Sequence, residues 1–311
     1  MEKQNLRQAY GEALVEAGRT NADVVVLEAD LGKSTFSYLF KDAYPDRYFE
    51  MGIAEQNMAS TAAGLALAGK IPFYSTFAVF AVGRAYDQIR CGIAIPKANV
   101  RICGSSCGLS DFGDGKTHQS IEDAVIMCAL PGMTVLNPMD AVETRNMVKA
   151  MVKHEGPVYI RINRYELPVF TTLKEEYTIG KMYRIVEGSD VVIFATGSMV
   201  WKSVLASELL RADGISAEVI NVSTLKPLRK EEILKFTEGK KAIITADEST
   251  RIGGLGSAIA SLIIGEVTLP FGQIGINDKF GTSAHSYEEL LVEYGLTEND
   301  IVSAAKKTLG E

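Results

Sequence analysis

Residues 50–90 read EMGIAEQNMASTAAGLALAGKIPFYSTFAVFAVGRAYDQIR, and the rest of the chain is organised around them. From Ala54 to Lys70 the stretch is rich in Ala, Ser, Thr and Gly and has no Pro. That composition predicts a helix packed closely against another backbone. Glu55 and Gln56 fall at its start, where a carboxylate meets the positive end of the helix dipole. Preceded by Gly-Ile-Ala and followed by small residues, Glu55 is expected to be at least partly buried. The competing reading is a capping Glu satisfied by backbone amides. Ile71–Ser75 then reads as a strand, and Thr76–Phe80 leads into a second helix through Arg90. Phe77 and Phe80 are three apart and share a face if the segment turns. They are either core packing or a flat apolar shelf beside a buried acid, suited to a heteroaromatic ring.

Around this centre the chain alternates strand and helix. Residues 4–18 read as an amphipathic helix, and Val24–Glu28 (VVVLE) as a buried parallel strand. The loop Ala29–Ser34 follows, at the strand's C-terminal end, where open α/β sheets bind ligands. Val100–Cys103, Thr134–Leu136 and Val158–Ile162 read as further strands, with helices over Ile121–Cys128 and Ala141–Lys153. Repeating βα units predict a parallel sheet covered by helices on both faces. A second α/β unit starts near Gly188, with strands Val191–Thr196, Ala217–Asn221 and Ala242–Ala246. The fold class is therefore α/β, with two doubly wound domains and mostly parallel sheets. We place the first domain at 1–166, a linker at 167–187 and the second domain at 188–311. Gly253–Ser257 (GGLGS), at a helix start, has the form of an anion site but is not a dinucleotide fingerprint.

Composition narrows the class. The 311 residues are 47% hydrophobic and 23% charged, ordinary for a soluble globular chain of about two domains. The net charge is −7, with no Lys/Arg cluster, which argues against nucleic acid and against an anionic membrane surface. No apolar run reaches the ~18 residues needed to span a bilayer. The N-terminus is polar without a signal-like apolar region, so a cytoplasmic location is expected. Of the four cysteines, only Cys103 and Cys107 are close in sequence, and no second pair supports them as a zinc site. Free thiols are expected.

GIAEQNM at 52–58, STFAVF at 75–80 and DGKTHQS at 114–120 occur in an order that resembles the transketolase family. The likeness runs from about Arg7 to the C-terminus. It implies the pyrimidine-binding domain of a thiamine-diphosphate enzyme followed by the transketolase C-terminal domain, the latter carrying IGINDKFGTSAHSYEELLVEYGL. By resemblance, Glu55 shares a proton with a ring nitrogen of the aminopyrimidine, and Phe77 and Phe80 bracket that ring. Asp30 and Leu31 lie against the cofactor. Asp114 and His118 face the donor sugar, with His118 moving protons. Ser34 and Arg7 hold the sugar phosphate, and either Arg161 or Arg164, at a strand end, completes the clamp.

Two departures stand out. A family His that helps bind phosphate is missing at Ser105-Ser106, and a family Tyr one turn after the second Phe is Gly83 here. Gly113-Asp114-Gly115 imitates the family's metal motif, which continues, after a longer gap, with Asn-Asn. Here 21 residues separate Gly115 from Asn137, and Pro138 follows. No metal site is therefore expected on this chain. The resemblance implies instead a split enzyme. A partner subunit would carry the diphosphate motif and bind Mg²⁺ (or Ca²⁺), self-association through this chain would give an α2β2 heterotetramer, and the chain alone would be inactive. The implied reaction transfers a two-carbon ketol unit from a ketose phosphate to an aldose, as in the pentose phosphate pathway and wider carbohydrate metabolism. The alternatives are the β subunit of a 2-oxo acid dehydrogenase and a non-catalytic subunit that retains the fold.

Overall fold

The computed structural model describes residues 2–169, 171 and 176–310. Its first sheet has seven strands, in the order Thr224–Lys226, Thr134–Leu136, Val158–Ile162, Arg101–Ser105, Ile71–Phe77, Val24–Glu28, Tyr48–Glu50. Every ladder is parallel except that of Thr224–Lys226, which pairs antiparallel with Thr134–Leu136. Val24–Glu28 is buried at all five positions, as an apolar run covered on both faces requires. The chain leaves this strand towards Tyr48–Glu50 on one side, and leaves Ile71–Phe77 towards Arg101–Ser105 on the other. The winding reverses between those two neighbours, and the crevice at their C-terminal ends is the switch point where such sheets take ligands.

The second sheet has the order Phe271–Ile276, Ala242–Thr250, Val191–Ala195, Ala217–Asn221, Tyr183–Val186, with only the last strand antiparallel. Tyr183–Val186 lies inside the stretch read as a linker, and is instead this sheet's edge. Residues 170 and 172–175 of that stretch lie outside the described residues. Thr224–Lys226 leaves the second unit to close the edge of the first sheet. The apolar core is continuous as well, with Ala124, Met127 and Val135 packed in one cluster with Val192, Phe194 and Ile220.

Buried polar contacts line the same boundary, and those to Asp247, Thr196 and Asn221 cross it. Arg161, fully buried, donates to both oxygens of Asp123 at 2.8 and 2.9 Å, and its Nη1 lies 3.7 Å from Asp247. Tyr159 donates its hydroxyl to Asp123 at 2.5 Å. Asn137 Nδ2 donates to Thr196 Oγ1 at 3.1 Å. Glu143 accepts from Met139 N at 2.8 Å and from Asn221 Nδ2 at 2.9 Å, the latter from the second sheet.

Burial pushes the Glu143 carboxyl up to about 7. An acid whose folded-state pKa lies above its unfolded value has its full stabilising effect below pH ~4.5 and loses it as pH rises through about 7. Stability should thus fall between pH 5 and 8, and Glu143→Gln should flatten that slope. The gain at pH 8 should be of order 1–3 kcal/mol, read from urea midpoints at both pH values. The amide is accommodated because Asn221 Oδ1 is buried without a partner and can accept after a flip.

Candidate active site

Glu55 opens the helix Glu55–Leu67 after Ala54, and no side chain caps that end. Its residue is 2% exposed. Both carboxylate oxygens lie 3.2 Å from Nη1 of Arg84, whose side chain is 45% exposed. Glu55 is therefore a buried acid with a movable partner, rather than a backbone cap. The sequence reading passed over Arg84, although it stands four residues after Phe80. The segment Val79–Arg84 is a π-helix, a local widening common at functional sites. It sets the Arg84 guanidinium 4.7 Å from the centroid of Phe80.

Phe77 ends its strand buried, and Phe80 is half-buried beyond it. Their rings are stacked at 17° with centroids 6.1 Å apart. His118 stands edge-on to both, at 6.2 Å from Phe77 and 5.4 Å from Phe80. Its Nδ1 lies 3.0 Å from Thr117 Oγ1, which holds the ring's rotation. Phe77, Phe80 and His118 thus form one group, and Arg84, touching both the Phe80 ring and Glu55, joins the acid to it. A carboxylate beside aligned aromatic faces suits a flat heterocycle with a ring nitrogen. Asp114 is exposed at the rim of the same loop.

The second unit holds this loop in place. Gln119 Nε2 donates to Asp111 O at 3.2 Å and to Thr282 O at 3.0 Å, and Ala284 N donates to Phe112 O at 2.9 Å. Gly281 is required there, since a Cβ would come within 1.8 Å of Gln119 Oε1. Buried Glu248 accepts from Leu109 N at 2.7 Å, Ser198 Oγ at 2.6 Å, Asn163 Nδ2 at 3.2 Å and the Tyr287 hydroxyl.

Beyond Phe77 the crevice continues into a cleft of about 330 Å³ lined by Asn5, Arg7, Ser110, Phe112, Arg164 and Tyr165. Asn5 caps the helix Leu6–Thr20 by accepting from Arg7 N at 3.0 Å, which fixes Arg7 in the first turn. Arg7 Nη1 donates to Ser34 O at 2.8 Å, so the two predicted phosphate residues do meet. Burial, with Arg164 alongside, pushes the Arg7 guanidinium down to about 10, and its Nε is buried without a partner. Arg164 lies 5.8 Å from the centroid of Phe77 and donates to Asp111 at 2.7 Å.

Asp30 is exposed with φ +61°, and Leu31 is half-buried. Their loop is braced by Glu28, fully buried, which accepts from Thr35 at 2.7 Å, Ser37 at 2.6 Å and Ala29 N at 3.1 Å. Burial raises the Glu28 carboxyl to about 7.

Arg161 is corrected here. It sits at a strand end as predicted, but its guanidinium is closed off by Asp123 and cannot clamp a ligand. Arg164, three residues on and 34% exposed, is the available one. Asn137 of the apparent metal motif is buried and donates to Thr196, whereas Asp114 is exposed. The GGLGS helix start faces the chain's own Asp247, whose Oδ2 accepts from Leu255 N at 3.3 Å. An apolar cavity of about 250 Å³ beside it, lined by Ala124, Cys128, Leu225 and Leu255, holds none of the site residues. All four cysteines are free thiols. Among the described residues no helix is long and apolar enough to cross a membrane.

Residues 2–169 match the family model of the transketolase pyrimidine-binding domain, and residues 180–301 that of the transketolase C-terminal domain. The chain is 42% identical to a putative transketolase C-terminal section of Methanocaldococcus jannaschii, over 98% of this chain and 96% of that protein. It is 39% identical to a 6-deoxy-6-sulfo-D-fructose transketolase subunit of a Clostridium species, over 98% and 94%. Among solved structures it is similar to a split-gene transketolase in an inactive β4 tetramer, with 44% identity, 98% of both chains covered and a TM-score of 0.89.

Proposed function

Because the chain belongs to the transketolase family and carries its pyrimidine-binding and C-terminal domains, we propose that it is the C-terminal subunit of a split transketolase. With a partner subunit it transfers a two-carbon ketol unit from a ketose phosphate to an aldose. The observation that carries this is the grouping of a buried acid, two aligned aromatic rings and an imidazole at the switch point of the first sheet. Thiamine diphosphate, when bound, supplies the carbanion-stabilising chemistry. Glu55 holds a proton against a ring nitrogen, Arg84 having moved off its carboxylate. Phe77 and Phe80 offer the ring an apolar face and exclude water. His118 positions the donor and exchanges protons with its hydroxyls, and Asp114 bonds a hydroxyl at the rim. Arg7, Ser34 and Arg164 take the charged far end.

The divalent ion and the diphosphate belong to the partner, and the sites lie between subunits of an α2β2 assembly in the cytoplasm. Support comes from the relatives of like length, one named a C-terminal section and one a split-gene enzyme. Donor choice tests the reading. The reconstituted pair should transfer ketol units from xylulose 5-phosphate and should not decarboxylate pyruvate; the reverse preference would make it a 2-oxo acid dehydrogenase subunit.

A further inference from the structure

An acid lies directly behind the lining of the cleft proposed for the substrate's far end, between the lining residues Ser110 and Phe112. Asp111 is 2% exposed and lies 2.7 Å from the Arg164 guanidinium. It stands on the His118 loop, held through its backbone carbonyl by Gln119. It acts on both arginines, being one of the charges that Arg7 senses beside Arg164. Two guanidiniums flanked by one buried carboxylate leave a single positive charge at the floor of the cleft. At the mouth, Lys3 and Glu166 add one charge of each sign. Ser106, with its hydroxyl buried and unpartnered, contributes no further cation from the strand end behind.

A phosphate ester is close to dianionic above pH 7. A dianion here faces two arginines and one fixed negative charge, inside a partly desolvated cleft where like charges repel more strongly than in water. A monoanion of the same tetrahedral shape keeps the donors and halves both the attraction and the repulsion, but its desolvation cost, which grows with the square of the charge, is only about a quarter of the dianion's.

We infer that Asp111 is a specificity-determining residue, and that it sets this cleft for a sugar whose far end carries one negative charge rather than two. The inference rests on the transketolase reading and revises its donor: a monoanionic tail fits best, and a phosphate ester is accepted no better. It also separates two roles for the Asp111–Arg164 pair. If the acid merely held Arg164 in place for phosphate, removing its charge would weaken phosphate binding. If it sets the charge of the cleft, removing it will strengthen phosphate binding.

The test uses the reconstituted pair at pH 7.5 with fructose 6-phosphate and its isostere fructose 6-sulfate as donors. Each kcat/KM is divided by that for erythrulose, which has no tail. The native chain should use the sulfate ester at least as well as the phosphate ester. Asp111→Asn, which keeps an oxygen for Arg164, should shift the ratio about tenfold towards phosphate. A native preference for phosphate overturns the inference. So does an Asp111→Asn chain whose ratio is unchanged or moves towards sulfate. The native ratio decides even if the variant folds poorly. No turnover of any of the three donors by the native pair would instead remove the transketolase reading, and this inference with it.

Discussion

Glu55→Gln should lower kcat of the reconstituted pair by about two to four orders of magnitude, the usual weight of a positioned proton donor or acceptor. The substitution keeps the shape of the side chain and its place at the head of the helix. It removes the exchangeable carboxyl proton and the charge that Arg84 now neutralises at 3.2 Å. Stability should change little, because the amide oxygen can still accept from Arg84. Cofactor affinity, followed by fluorescence quenching, should fall far less than kcat. Unchanged activity in the pair would show that Glu55 takes no part in the chemistry, and would favour a subunit that keeps the fold without the reaction.

The second large effect is on stability. Arg161→Met should destabilise the chain by about 3–5 kcal/mol, because Asp123 would be left buried and charged. Tyr159 would remain its partner, and Asp247 would lose the neighbouring cation. The measurement is the urea midpoint at pH 7 with the slope held common. Replacing Asp123 by Leu together with Arg161 should recover much of the loss, as apolar substitution of a whole buried pair commonly does. A single variant as stable as the native chain would contradict this and reopen Arg161 as a ligand-binding residue.

Much of the fold was legible because its strands are buried on both faces. Val24–Glu28, Val158–Ile162 and Ala217–Asn221 are continuous apolar or mixed runs bounded by turns, and they fold within the limits read from sequence. What was missed is short or non-local. Thr224–Lys226 spans three residues, too few to show a period, and its partner strand lies in the other unit. Tyr183–Val186 is an edge strand in a stretch of mixed charge. The π-turn at Val79–Arg84 leaves no mark on a pattern read at helical spacing.

The candidate site divides in the same way. The resemblance named Glu55, Phe77, Phe80 and His118, and the structure gathers them in one crevice. It could not choose between Arg161 and Arg164, because both follow the same strand and differ only in what lies behind them. Asp123, far along the chain from Arg161, makes that difference. Arg84 and Asp111 were passed over because their roles come from partners, Glu55 in one case and Arg164 in the other, that no local pattern joins to them.

The central claim is that this chain provides the acid-and-ring half of an active site completed by another subunit. The most direct measurement is ketol transfer from xylulose 5-phosphate with thiamine diphosphate and Mg²⁺, by the purified chain alone and then mixed with the subunit that carries the diphosphate motif. The account predicts no turnover by the chain alone and turnover that saturates near one equivalent of partner. Turnover by the chain alone, or none at any ratio of the two, would contradict it.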